Sequence, residues 1–177
     1  MPDDEKARPE VRLLKPDDDV DGFVSGVAVI DDYLTRFAWS MHQAGGPRTY
    51  VAVIGRRVVG YYSLVSGSIE REDAHERLKA GMGAYPIPVQ LLARMVVHQD
   101  YQGHGLGGDL LLAALLTAAR AAELVGVRAV VTHPLTRSLT GFYGRYGFKV
   151  FNDPNYDLAM YTLMKDIRRT LRDSGLM

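Results

Sequence analysis

A chain of 177 residues that is 47% apolar and 24% charged is long enough to bury one full hydrophobic core. It has no cysteine, which excludes disulfides and thiolate metal sites and favours a cytoplasmic setting, and its acidic opening MPDDEKARPE lacks the basic-then-apolar order of a signal peptide. Net charge is zero but uneven: residues 1–32 hold ten acids against four bases, and residues 33–177 eleven against seventeen, which permits an anionic partner for the body without requiring one.

Residues 1–10 read as a disordered N-terminus and 11–177 as one domain. VRLLK (11–15) predicts a first strand. In VSGVAVIDDYLTRFAWSMHQAGG, Val27, Ile30, Leu34, Phe37, Ala38 and Met41 recur at steps of three and four, which predicts an amphipathic helix ended by Gly45 and Gly46. RTYVAVI and RVVGYYSLVSGSI, rich in β-branched and aromatic residues, predict a hairpin turning near Gly55, and HERLKA a short helix. PVQLLARMVVH (88–98) is nearly all apolar and predicts a central strand. A mostly apolar helix follows over about 104–125, with Asp109, Thr117, Arg120 and Glu123 as its narrow polar stripe. Arg120 and Glu123 also interrupt the longest apolar stretch, leaving none fit to cross a bilayer. VRAVVTH predicts a strand, SLTGFYGRYG a short helix, FKVF and LAMYTLM two strands, and KDIRRTLRD a terminal helix. This order makes an α/β fold with a mixed sheet.

Between the central strand and the long helix stand Gly103, Gly105, Gly107 and Gly108, four glycines in six positions. Glycine in a helix costs about 1 kcal/mol relative to alanine, so the cluster needs a compensating reason. One reason is a bound phosphate or pyrophosphate: a helix N-terminus offers unpaired amides at the positive end of its dipole, and glycine lets an anion approach them. The other is a merely tight strand-to-helix turn. The spacing fits neither GxxxxGK[ST] nor GxGxxG.

Gln102-Gly103-His104-Gly105-Leu106-Gly107 resembles the (R/Q)-x-x-G-x-(G/A) loop of the GNAT acetyltransferases, and GFYGRYGF (141–148) is similar to their F-Y-x-x-x-G-F signature. More narrowly, GPRTYVAV, VVGYYSLVSGSI, PIPVQLLARMVVH, GVRAVVTH and DPNYDLAMYTLMKDI resemble the GNAT toxins of type II toxin–antitoxin modules. The resemblance implies a mixed, mostly antiparallel central sheet flanked by helices, with residues 11–177 forming one acetyltransferase domain. It implies acetyl-CoA as acetyl donor, held by the amides of Gln102, Gly103, His104, Gly105, Leu106, Gly107 and Gly108, with the pantetheine arm along the backbone of Met95, Val96 and Val97. It also implies a charged tRNA as substrate, a ribbon-helix-helix antitoxin and a possible homodimer.

Acetyl transfer from a thioester needs a neutral amine and a proton for the departing thiolate. Tyr143 suits the second task, since a phenol of pKa about 10 is protonated at neutral pH. Phe142, Tyr143, Tyr146 and Phe148 also cluster at helical spacing, so core packing is the alternative in isolation; the signature motif makes Tyr143 the acid, with Phe142 and Tyr146 as packing or CoA contacts. LARMVVH carries no glutamate to act as base. That matters less for an α-amine, whose reference pKa of about 7.7–8.0 lies well below the roughly 10.4 of lysine. His98 and His133, at strand ends, are candidates for a water-mediated relay or for plain structural histidines. The histidines show no metal-ligand spacing, and no metal is expected.

For tRNA phosphates the candidates are Arg36, Arg48, Arg94, His133 and Arg137, with Arg56, Arg57, Arg145 and Lys149 also considered. Each alone reads first as a solvated surface charge, and Arg94 has the strongest claim among them, because it lies within an otherwise apolar strand where a charge needs a reason. The leading function is thus an aminoacyl-tRNA N-acetyltransferase that blocks translation in the cytoplasm. The alternatives are a GNAT enzyme acting on a small or protein amine, or a CoA-binding sensor.

Overall fold

The computed structural model describes residues 8–151 and 158–177. Over residues 1–7 the expected disordered N-terminus lies outside the described residues, and Glu10 already opens a strand. The strands are β1 (Glu10–Leu13), β2 (Arg48–Ile54), β3 (Arg57–Ile69), β4 (Ile87–Val97), β5 (Ala129–Thr132), β6 (Lys149–Val150) and β7 (Met160–Leu163). The helices are α1 (Ala28–Asp32), continued by a π-helical turn (Tyr33–Phe37) into α2 (Ala38–Gln43), then α3 (Glu76–Lys79), α4 (Leu106–Ala121), α5 (Thr140–Gly144) and α6 (Met164–Asp173).

Among the described residues the strand order is β1-β2-β3-β4-β5-β7-β6, which puts the apolar β4 in the middle of the sheet, as its composition predicts. The β4–β5 pair is parallel, while β1–β2, β2–β3, β5–β7 and β6–β7 are antiparallel. The β2–β3 hairpin turns at Gly55, whose φ of +63° suits a residue without Cβ.

Contacts group the chain into two compact units, Met1–Leu64 with Arg94–Ala113 and Val65–Ala93 with Ala114–Met177. In the first, Leu14, Phe23, Ile30, Tyr33, Leu34, Ala38, Val51 and Tyr61 form a buried core. In the second, Leu78, Ile87, Val89, Ala129, Val131, Phe151, Tyr161 and Leu163 do so.

Two expectations need correction. The helix over 27–43 buries Ile30, Leu34 and Ala38 as predicted, but Phe37 is 50% and Met41 40% exposed, while Tyr33 and His42 are buried. The π-helical turn is the cause: its wider i→i+5 bonding shifts the following face, so that Leu34, Ala38 and His42 point inward at steps of four. The helix expected to reach residue 125 stops at Ala121, and Leu124 and Val125 beyond it are strongly exposed.

Candidate active site

The parallel ladder between β4 and β5 closes with Leu92↔Thr132, whereas β4 continues to Val97. At its end His98 donates its amide to Val59 O at 2.8 Å and accepts on Nδ1 from the Asp100 amide at 3.1 Å. Its buried ring packs edge-on against Phe23 and Tyr101. This is a histidine that caps a short turn through Nδ1.

Gln102 opens the glycine turn, and its side chain is committed: Nε2 donates to Ser25 O and to Val97 O, both at 2.9 Å. It therefore ties the turn to the end of β4. Gly103 and Gly105 have φ of +78° and +86°, values that disfavour any side chain, and nothing lies within 4 Å of where a Cβ would stand. Their cradle is open, and the glycines are required by backbone conformation rather than by crowding from the protein. Asp109 N donates to Gly105 O at 3.2 Å, so the amides of Leu106, Gly107 and Gly108 ahead of it fall in the first turn of a 16-residue helix, where no i−4 carbonyl is available. Together with the exposed His104, this open, amide-lined helix start fits a pyrophosphate.

Gly60 on β3 carries a requirement that sequence reading missed. A Cβ there would stand 3.0 Å from Leu110 Cδ1 and 3.2 Å from Val96 O, so the bare backbone lets α4 pack close beneath β3 and β4.

In the second unit, α5 carries Tyr143. The phenol is buried, with Phe142 and Phe148 packed edge-on at 5.2 and 5.5 Å, and Tyr146 tilted against Phe142 at 5.5 Å. The predicted aromatic cluster therefore forms. Burial raises the pKa of the Tyr143 phenol, and the Thr132 hydroxyl offsets this only in part. A phenol so placed stays protonated throughout the neutral range, as a proton donor must. Thr132 itself donates from Oγ1 to Leu92 O at 3.1 Å, a partner the sequence offered no signal for.

Arg94 now has its reason. Its guanidinium carbon lies 3.5 Å from the centroid of the Tyr33 ring, a cation–π contact worth about 0.5–2 kcal/mol. Tyr33 Oη is buried without a hydrogen-bond partner, and the adjacent Tyr61 Oη donates to Ile30 O at 2.6 Å. Of the other substrate candidates, Arg36 is exposed and stands 5.6 Å over Phe37, and Arg48 is exposed at the start of β2. His133 and Arg137 are exposed after β5. Arg56 donates to Asp17 O, Arg57 lies 4.0 Å from Asp100, and Arg145 flanks Phe142. The described helices include none long and apolar enough to cross a membrane.

Residues 45–150 match the family described as "Acetyltransferase (GNAT) domain". A Mycobacterium tuberculosis protein named "tRNA-acetylating toxin" is 39% identical over 162 residues, which span 92% of this chain and 96% of that protein. A "Probable toxin TacT" of Sinorhizobium fredii is 29% identical, over 89% of this chain and 93% of its own. Among solved structures, a Tyr→Phe variant of the AtaT toxin bound to the C-terminus of the antitoxin AtaR has a TM-score of 0.77 at 25% identity, covering 90% of this chain and 94% of its own.

Proposed function

The chain belongs to the GNAT acetyltransferase family and is an N-acetyltransferase with acetyl-CoA as donor, and we propose that its acceptor is the α-amino group of an aminoacyl-tRNA. The observation that carries this reading is the 39% identity, over nearly all of both chains, to a protein named as a tRNA-acetylating toxin. The composition of β4 agrees with it: no carboxylate occurs between Ile87 and Val97, and an α-amine needs a dedicated base less than a lysine amine does.

In this reading residues 11–177 work as one acetyltransferase domain. The amides from Gln102 to Gly108 hold the pyrophosphate, with Gln102 fixing the turn through its side chain. The backbone of Met95, Val96 and Val97 pairs with the pantetheine arm, and Phe142 and Tyr146 flank the cofactor. The bound acetyl-CoA supplies an activated thioester. Tyr143 donates its proton to the departing thiolate, while Arg36, Arg48, Arg94, His133 and Arg137 meet the nucleic acid. Acetylated aminoacyl-tRNA cannot extend a peptide, so the product blocks translation and the protein acts as a cytoplasmic toxin. A ribbon-helix-helix antitoxin neutralises it, in keeping with the antitoxin-bound AtaT neighbour, and the toxin works as a homodimer.

Incubating the protein with labelled acetyl-CoA and separately charged tRNAs, free amino acids, polyamines and lysine peptides tests the acceptor. Label is expected on the aminoacyl end of tRNA. Faster turnover on a free small amine or on a lysine peptide replaces this reading with that acceptor class.

A further inference from the structure

Of the five residues set against the nucleic acid, Arg94 is held differently from the rest. Arg36, Arg48, His133 and Arg137 are exposed, while Arg94 is half-buried and is the one charged residue of β4. Its guanidinium carbon lies 3.5 Å from the Tyr33 ring centroid, too close for an edge-on approach, so the planar group lies flat on the ring face. A guanidinium stacked in this way keeps its N–H groups at its rim, where they can pair with a phosphate or carboxylate. Among the described residues no oxygen meets that rim: Arg94 makes neither a hydrogen bond nor an ion pair. Asp31, two positions before Tyr33, is engaged elsewhere, its carboxylate accepting from the Ser25 amide at 3.0 and 3.1 Å and from the Ser25 hydroxyl at 2.6 Å. Partial burial strips water from the cation and the ring replaces only part of it, so the position suits an anion that arrives with a ligand.

The ring beneath Arg94 is firmly seated. Tyr33 is buried in the core formed with Phe23, Ile30, Leu34 and Tyr61, and the helix that carries it is tied to β3 by the bond from Tyr61 Oη to Ile30 O at 2.6 Å. The hydroxyl of Tyr33 is itself buried without a partner among the described residues, so the ring face, not the oxygen, is what Arg94 uses. We propose that Tyr33 positions Arg94 to hold the 5′-phosphate of the acceptor's terminal nucleotide, which makes Arg94 the residue that distinguishes an amine carried on nucleic acid from a free one. This rests on the reading of the acceptor as aminoacyl-tRNA. An amino acid esterified to the terminal ribose has lost its carboxylate, so the anion nearest its amine is the phosphate of that nucleotide. Arg94 directly precedes Met95, whose backbone the proposed function gives to the pantetheine arm, and so stands beside the acetyl donor rather than out on the rim.

Two competitors that differ only in that phosphate test the contact: an amino acid joined by a stable amide to the 3′ carbon of adenosine, and the same compound bearing a 5′-phosphate. Each is titrated against the acetylation of charged tRNA. For the parent the phosphate is expected to lower Ki about tenfold to a hundredfold, the value of hydrogen bonding between charged groups. In Arg94→Gln the two compounds are expected to lie within about threefold of each other, because the phosphate has lost its partner. Arg94→Lys keeps the charge but not the planar fork, and should lose most of the preference. Tyr33→Leu removes the ring face and should lose most of it as well, whereas Tyr33→Phe, which keeps the face and drops only an unpaired hydroxyl, should retain it. A merely structural role moves both compounds together and leaves their ratio unchanged. Should Arg94→Gln or Tyr33→Leu not fold, Arg94→Lys and Tyr33→Met carry the same tests.

Equal potency of the two compounds against the parent, no competition by either, or a preference that survives in the Arg94 variants overturns the phosphate contact, while acetylation of charged tRNA by the parent leaves the acceptor reading standing. A preference lost with Arg94→Gln but kept by Tyr33→Leu or Tyr33→Met overturns the positioning role of Tyr33. A parent that does not acetylate charged tRNA removes the acceptor reading and the phosphate contact together.

Discussion

A buried side chain that can take up or lose a proton reports its surroundings most directly, and two such residues here lean in instructive directions. Tyr143 is held neutral by burial, which suits a group whose task is to carry a proton at neutral pH. His42 is held neutral as well: burial first, then the nearby Arg48, lower its pKa from the usual 6.5. Its Nδ1 accepts from the Thr49 amide at 3.2 Å, so a proton on Nδ1 removes that bond and charges a buried ring stacked on Trp39. The unfolded histidine therefore takes up a proton before the folded one does. The stability that His42 contributes is full above about pH 6.5 and is lost as pH falls below that value. Urea midpoints measured from pH 7.5 down to 5 should decline, and His42→Asn should flatten that part of the profile. An equal slope in the variant would assign the titration to another group.

Among the elements, the turn into α4 joins local conformation to ligand binding. Gly105 at φ +86° caps a helix whose first amides are unpaired. A valine there must adopt a backbone region costing about 1–2 kcal/mol for a residue with Cβ, and its branched side chain fills the open cradle. Gly105→Val is thus expected to weaken acetyl-CoA binding at least tenfold in calorimetry while retaining native circular dichroism. Unchanged affinity in a folded Gly105→Val protein would remove the anion from this turn. The two helical segments flanking Tyr33–Phe37 show where a periodic pattern misleads. Apolar spacing identified the helix, but the wider turn inside it turned Phe37 and Met41 outward, and no residue type marks such a turn in advance. Gly60 is similar: its need arises from α4 and the Val96 carbonyl, neither of which is adjacent in sequence.

Over the whole molecule the charge distribution is the relevant property. The acidic excess lies in residues 1–32 and the basic excess in residues 33–177, where every substrate candidate is found. Neutralising tRNA phosphates releases counterions, so log kcat/KM for charged tRNA should fall linearly with log salt, and steeply. Acetyl-CoA affinity should change much less over the same range. Arg48→Gln should reduce the tRNA slope by about one without altering acetyl-CoA binding. A salt-independent rate on charged tRNA would show that phosphate contacts do not hold the acceptor, and the exposed arginines would return to being solvated charges.

The order of elements, the central place of β4, the glycine turn into a long apolar helix and the aromatic cluster around Tyr143 could all be read from the sequence. Each is encoded locally, by side-chain periodicity, by β-branched composition or by backbone angles that glycine alone adopts easily. Where the side chains of Arg94 and His98 lie was decided only in three dimensions. Arg94, singled out as a charge in an apolar strand, lies on the ring of Tyr33, and His98, weighed as a relay, caps a turn beside Phe23. The bond from Thr132 Oγ1 to Leu92 O joins positions 40 residues apart. A hydroxyl's partner depends on which strands pair and where the ladder stops, and that is set by burial of the sheet as a whole, so no local pattern announces it.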